Sequence, residues 1–398
     1  MDLSQRDHLK AYGIAYWTIK QGGKAEWLLN YRGGSFLCDD SEPLERLCRL
    51  RGVTFELLSG DQAAAAYAEI EQSNMEVVPL EKAPRIAVYA PQGYDPWDDA
   101  VMLALTYAEI PYDQIYDDEV LRGKLADYDW LHLHHEDFTG QLGKFYGSYK
   151  SAQWYQEQKA RDEARAAQWS LPSVSEMKKL VARSIKKYVG DGGFLFAMCS
   201  GADSYDIALA AEGVDIVDVP FDGTPPDPKV QQKLDYSKSL AFQNFTIITN
   251  PSVYEFSDID MTQSAVAEGR GSGREEGGDY FSLFEFSAKY DPVPTMLTQD
   301  HTSVVKGFMG QTTSFRRSLL KPSVIVMGEY EGRNEVKYIH GNFGKGFWTF
   351  YGGHDPEDYR HLVGDPPTNL ELHKNSPGYR LILDNVLFPA AKKKKLKT

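Results

Sequence analysis

Cysteine is scarce: Cys38, Cys48 and Cys199 are the only three in 398 residues. An odd, sparse set is no disulfide framework, and no CxxC pair points to a zinc ribbon or a redox motif. Long apolar runs are also lacking. None approaches the ~18 residues of a membrane span, so no transmembrane segment is expected. The opening Met1-Asp2-Leu3-Ser4-Gln5-Arg6-Asp7 has no apolar signal core. The expectation is a cytoplasmic protein, or a mature form left after removal of an export signal. Basic charge is in deficit, with 43 Lys and Arg against 57 Asp and Glu, a net of −14. Five of the lysines crowd positions 392–397, so the remainder is more acidic still. Phosphate contacts need a basic face, which argues against a nucleic-acid partner. The basic run itself reads as a solvated tail. No motif calls for a cofactor, and none is expected.

What is abundant is core material. Hydrophobic residues make up 42% and aromatics 13%, ample to bury a core and enough to exclude global disorder. Residues 1–84 read as an α/β lead-in unit. It has strands over 13–19 and 26–31 around a Gly22-Gly23 turn, a helix over 43–50, a strand over 53–58 and a helix over 61–71. From 85 onward short apolar strands (86–90, 112–116, 130–134) alternate with helices (96–109, 120–126), the pattern of parallel βαβ units. An exposed helix over 150–169 reads as an insertion. A helix over 174–189, capped by Ser173, leads through a Gly-rich stop to a buried strand over 194–198. A helix over 204–211 follows. Residues 214–300 are irregular, and 268–278 are loop-like by composition. Strands over 323–327, 336–340 and 347–351 and a helix over 379–387 close the chain, which makes 85–398 one domain with insertions at about 150–170 and 214–300. The stretch 304–309 reads as core.

Three constellations could carry chemistry. The first is strand–Cys199–helix. A nucleophile on a sharp turn between strand and helix is exposed at the sheet edge, with backbone N–H groups ready to hold an oxyanion. Ser200 and Gly201 are the small neighbours such a turn needs, and they become candidate substrate contacts. A buried cysteine acting as a small hydrophobe is the competing reading, and it is the one adopted for Cys38 and Cys48. The second is His354-Asp355-Pro356-Glu357 after an apolar strand. A thiol needs a base and the base an orienting carboxylate, roles that fit His354 with Glu357 or Asp355. The third is His132-Leu133-His134-His135-Glu136. His132 and His134 share one strand face and with Glu136 could bind a metal. The spacing matches no metal motif, so a polar strand end with His135 and Glu136 lining the substrate cleft is preferred.

Two stretches resemble class I glutamine amidotransferase-like proteins: Gly192-Gly193-Phe194-Leu195-Phe196-Ala197-Met198-Cys199-Ser200-Gly201, and the run from Gly344-Lys345-Gly346 through Gly352-Gly353-His354-Asp355-Pro356-Glu357. The resemblance spans about 85–200 and 320–390. It implies a three-layer flavodoxin-like, mostly parallel sheet, with Cys199 as nucleophile and His354 as base. The family's His-Pro-Glu is one residue longer here, and Ala202-Asp203 stand where a Gln usually follows the elbow. The trehalose-utilisation-like branch shares the fold and the Gly-His-Asp ending. A wider resemblance covers almost the whole chain. His8 to Ile14, Trp27 to Phe36, Asp129 to Phe138, Phe256 to Met261 and Phe388 to Lys392 look like a Bacteroidetes family labelled "asparagine synthetase B". Members tend to carry an export signal, which implies an exported or periplasmic mature form. The expected function is therefore a cysteine-dependent amide hydrolase or amidotransferase-like enzyme with a small-molecule substrate. The alternative is a non-catalytic ligand-binding protein on the same scaffold.

Overall fold

The computed structural model describes residues 1–93, 99–261, 280–359 and 366–391. The chain opens on a helix where a strand was expected. Asp7 caps α1 (His8–Lys20) by accepting the Lys10 N–H at 2.9 Å. A run that is apolar on nearly every side fits either period; α1 is settled as a helix by packing against the last helix, Pro377–Leu387. Arg380 of that helix is fully buried and donates to the carbonyl of Met1 (3.1 Å), the hydroxyl of Tyr12 (3.0 Å) and the carbonyl of Gly33. The two ends of the fold are thereby tied together.

A small antiparallel sheet follows, with β1 (Ala25–Leu29) between β2 (Ser35–Cys38) and β3 (Glu76–Leu80). The hairpin turns at 30–34 rather than at Gly22-Gly23; Gly33 and Gly34 there take positive φ. Helices α2 (Glu42–Arg51) and α3 (Gly60–Gln72) form where expected, α3 through a capping box between Ser59 and Gln62. Residues 53–58 form no strand.

The large sheet contains β4 (Ile86–Tyr89), β5 (Asp113–Ile115), β6 (Trp130–Leu133), β7 (Phe194–Met198), β8 (Tyr280–Leu283), β9 (Val304–Lys306), β10 (Phe315–Arg316), β11 (Ile325–Glu329), β12 (Glu335–Phe343) and β13 (Gly346–Tyr351). Its order is β5-β4-β6-β7-β13-β12-β11-β8-β9, with β10 beside β12. Pairing is parallel from β5 to β13 and antiparallel beyond. The sheet is therefore mixed, parallel in the half that carries β4 to β7 and antiparallel in the other. The physical reason is the tight Gly344 turn between β12 and β13, since a short hairpin can only join antiparallel strands. The parallel half is built with α4 (Ala100–Tyr107), α5 (Asp117–Leu121), α6 (Tyr146–Tyr149), α7 (Gln153–Gln168), α8 (Val174–Asp191) and α9 (Ser200–Ala210).

Strand alternation separates two apolar cores. Trp130, Phe194, Phe196 and Met198 pack with Val101, Leu105 and Leu381. Leu131, Leu133, Leu195 and Ala197 pack with Val181, Ile185 and Tyr205. His132 shares the Trp130 face, its ring centroid 5.9 Å from that of Trp130 and 5.6 Å from that of Phe196. Val305 and Phe308 in the stretch 304–309 are buried, while Val304 is exposed. The loop expected over 268–278, the first residues of the helix expected from 96 and the lysine tail lie outside the described residues. No helix among the described residues is long and apolar enough to cross a membrane.

Candidate active site

Three adjacent strand ends converge. β7 runs into Cys199, whose φ of 49° and ψ of −143° are uncommon for a residue with a side chain, and α9 starts at the next residue. The Gly201 N–H donates to the carbonyl of His134 at 2.6 Å. A Cβ on Gly201 would collide with that same oxygen, so only glycine lets the elbow close on the end of β6. The Cys199 N–H donates to Gly353 O at 3.1 Å, beyond the end of β13. His354 follows directly, above Gly310, where a Cβ would meet its backbone nitrogen at 2.7 Å.

The Cys199 thiol is 2% exposed. Burial pushes it up to about 11, against the opposing effect of hydrogen bonds from the backbone N–H groups of Gln311, Ser200 and Thr312. The group at neutral pH is thus an uncharged thiol ringed by amides. Cys38 is likewise pushed up to about 11 by burial. Gly201, expected among the oxyanion donors, has its N–H engaged by His134.

The imidazoles form a chain. Nδ1 of His354 lies 2.8 Å from Nε2 of His134. Nδ1 of His134 is 3.4 Å from a carboxylate oxygen of Asp99 and 3.3 Å from Nε2 of His132. Nε2 of His132 is 3.3 Å from the other Asp99 oxygen, and its Nδ1 is 3.1 Å from the carbonyl of Phe196. Asp99 also caps α4, accepting the Val101 and Met102 N–H groups. Burial works against its charge, but His134 and His132 outweigh it and hold the carboxyl well below the usual range. Burial pulls His132 down, with Asp99 opposing. The His135 ring is half-buried, with its centroid 5.2 Å from that of His134 and 5.8 Å from that of His354.

The two expected orienting carboxylates point elsewhere. Glu357 accepts from Tyr359 Oη at 2.5 Å and lies 2.9 Å from Nδ1 of His373. Asp355 accepts the Glu357 N–H at 2.9 Å, and burial raises it, with the side chains of Thr368 and Tyr379 opposing. The carboxylate behind His354 is instead Asp99, reached through His134. The alternative metal set also rearranges. Glu136 accepts from Tyr116 Oη at 3.0 Å and is pushed up to about 7 by burial, with Lys178 opposing. Asp99 takes the place beside His132 and His134 that Glu136 was given. Ser200 is fully buried at the start of α9. Asp99 had a legible signal, an Asp directly before an apolar helix. Gln311 and Thr312 had none, because their role comes from backbone N–H groups. A cavity of about 1050 Å³, lined in part by Phe194, Phe347 and Phe388, lies at the opposite ends of these strands.

No protein-family model and no curated protein matches the chain. Solved structures with some likeness include the cytoplasmic protein STM3548 from Salmonella typhimurium, at 11% identity and a TM-score of 0.36. The match covers 78% of this chain and 100% of that one. The cytoplasmic protein STM1381 from Salmonella typhimurium LT2 matches at 14% identity and a TM-score of 0.39, over 77% and 100%. Gan42B, a GH42 beta-galactosidase from G. stearothermophilus, matches at 11% identity and a TM-score of 0.26, over 68% and 27%. Likenesses this loose carry no argument about this chain.

Proposed function

We propose that the chain is a cysteine-dependent amide hydrolase or amidotransferase-like enzyme acting on a small-molecule amide, on a flavodoxin-like, class I glutamine amidotransferase-like scaffold. The parallel strands supporting the scaffold reading stand in the order second-first-third-fourth-fifth, the order of flavodoxin-like sheets. The observation that carries the functional reading is the conformation of Cys199, a positive-φ residue between strand and helix, with the backbone N–H groups of Gln311, Ser200 and Thr312 favouring its thiolate.

The chemistry follows from the groups present. Cys199 Sγ attacks the amide carbonyl carbon as its proton passes to Nε2 of His354. The backbone amides of Ser200, Gln311 and Thr312 hold the negative charge that develops. The C–N bond breaks, the proton on His354 goes to the departing amine, and water or a second amine cleaves the thioester. In this reading His354 donates its Nδ1–H to His134, which in turn donates its Nδ1–H to Asp99, so that Nε2 is the atom that takes the proton.

Alkylation with iodoacetamide, mapped by mass spectrometry, tests the reading. Cys199 is expected to react at least ~10-fold faster than Cys38 or Cys48, with a rate that climbs with pH and falls in His354→Ala. Reaction at Cys199 no faster than at Cys38, unchanged in His354→Ala, would overturn it. That outcome would favour the second reading, a ligand-binding protein with an inert thiol, for which the near-complete burial of Cys199 speaks.

A further inference from the structure

His132, His134 and Asp99 set three ligand atoms face to face inside the protein. Nε2 of His132 and Nδ1 of His134 are 3.3 Å apart, and the Asp99 oxygens lie 3.3 Å from the first and 3.4 Å from the second. All three residues are buried, and their ligand atoms form one of two clusters among the described residues close enough to share a metal ion. We propose that Asp99, His132 and His134 form a binding site for a divalent transition-metal cation of the zinc class.

Proton positions support it. Nδ1 of His132 faces the carbonyl of Phe196, which can only accept, so the ring carries its proton there. Its Nε2 lone pair is then open to a ligand, with Nδ1 of His134 and a carboxylate oxygen of Asp99 each 3.3 Å from it. A ring N–H held by a backbone carbonyl is also the usual support behind a metal-ligating histidine. Separation agrees as well. Ligand atoms bound tetrahedrally at ~2.0–2.1 Å stand about 3.3–3.4 Å from one another. Two imidazoles and one carboxylate suit zinc, cobalt or iron(II) better than calcium or magnesium, which take oxygen ligands. The second cluster, His134, His135 and His354, fits less well, because its His134–His354 separation of 2.8 Å is that of a direct hydrogen bond. The location also suits a ligand: Asp99 follows β4 and His134 follows β6, and strand order reverses between those two strands.

One consequence rests on the acyl-transfer reading. A cation on Nδ1 of His134 moves that ring's proton to Nε2, which then donates to Nδ1 of His354. His354 is left with its proton on Nε2, a donor rather than a base. The loaded form should therefore be the slower one at Cys199.

The test uses the whole purified chain, stripped with a chelator and titrated with Co²⁺ and Zn²⁺. One cation per chain is expected, with a tetrahedral Co²⁺ absorption band displaced by Zn²⁺. Affinity should fall at least ~10-fold in Asp99→Asn and His132→Gln and be kept in His135→Ala. Absence of stoichiometric uptake by the folded wild type would overturn the site, whatever the variants do. So would uptake unchanged in His132→Gln, or uptake lost only in His135→Ala. Iodoacetamide labelling of Cys199 in the same samples separates the two claims. Slowing on loading in wild type, absent in His132→Gln, supports both. Full uptake without slowing leaves the cation site standing and overturns the role of His354 as base.

Discussion

Two buried carboxylates on opposite sides of the parallel strands have their charge met in opposite ways. Asp117 has a resident cation: Lys178 donates to its two oxygens at 3.0 and 3.1 Å and also to the hydroxyls of Tyr89 (2.9 Å) and Tyr116 (3.1 Å). Burial pulls Lys178 down, but Asp117, Asp162 and Glu136 outweigh it and keep the ammonium charged. Asp99 has no lysine or arginine among its described partners; it meets the backbone N–H groups of Val101 and Met102 and the imidazoles of His132 and His134. A buried charge must be matched. The Asp117 cluster satisfies that rule within the chain and is read as structural. The Asp99 cluster has two backbone N–H donors but no permanently charged partner, and any full countercharge is a proton or a cation taken from solution, which makes it responsive. Asp203 shows a third solution. Burial pushes it up to about 7, so it approaches neutrality by holding a proton, with Thr312 donating to it at 2.9 Å.

The largest effect should come from removing the resident cation. Lys178→Met strands Asp117 and is expected to cost about 3–5 kcal/mol in urea denaturation; a loss under ~1 kcal/mol would erase the contrast between the clusters. Next is loading of the other one. Free Zn²⁺ at 100 times its Kd should stabilise wild type by about 2.7 kcal/mol, read as a rise in Tm. The increment should drop to about half or less in Asp99→Asn and persist in a folded Lys178 variant.

A smaller effect concerns pH. Asp203 has a folded pKa above its unfolded value, so its contribution is fully present below about pH 4. It is lost as pH rises through about 7. Asp203→Asn should flatten that decline by about 2 kcal/mol, less than the full shift implies because neighbouring Asp137 opposes the same charge. Stability curves for the two proteins at pH 4, 5.5 and 7 check it. Least affected should be Cys199 alkylation in Glu357→Gln, within about twofold of wild type, because that carboxylate is engaged by Tyr359 and His373. A tenfold change there would return the orienting role to Glu357.

Local pattern carried much of the fold. The strand at 194–198, the Ser173 cap and the hairpin through Gly344 are set by neighbours in sequence, and they were legible there. So was the strand–Cys199–helix elbow, because small residues at 200–202 are a local requirement. The helix at 8–20 and the coil at 53–58 were misread, since an apolar run fits a buried helix or strand equally until packing chooses. At the site, His354 meets His134 across 220 positions, whereas Glu357 and Glu136 are turned away by nearer partners, Tyr359 and His373 for the first and Tyr116 for the second, in spacings that form no motif. Residue types and short spacings determined which groups could do chemistry. Only the tertiary structure decided which of them meet, because strand order, not sequence distance, sets what lies at one end of a sheet. That order puts Asp99, a helix cap by local logic, within 3.4 Å of two buried histidines.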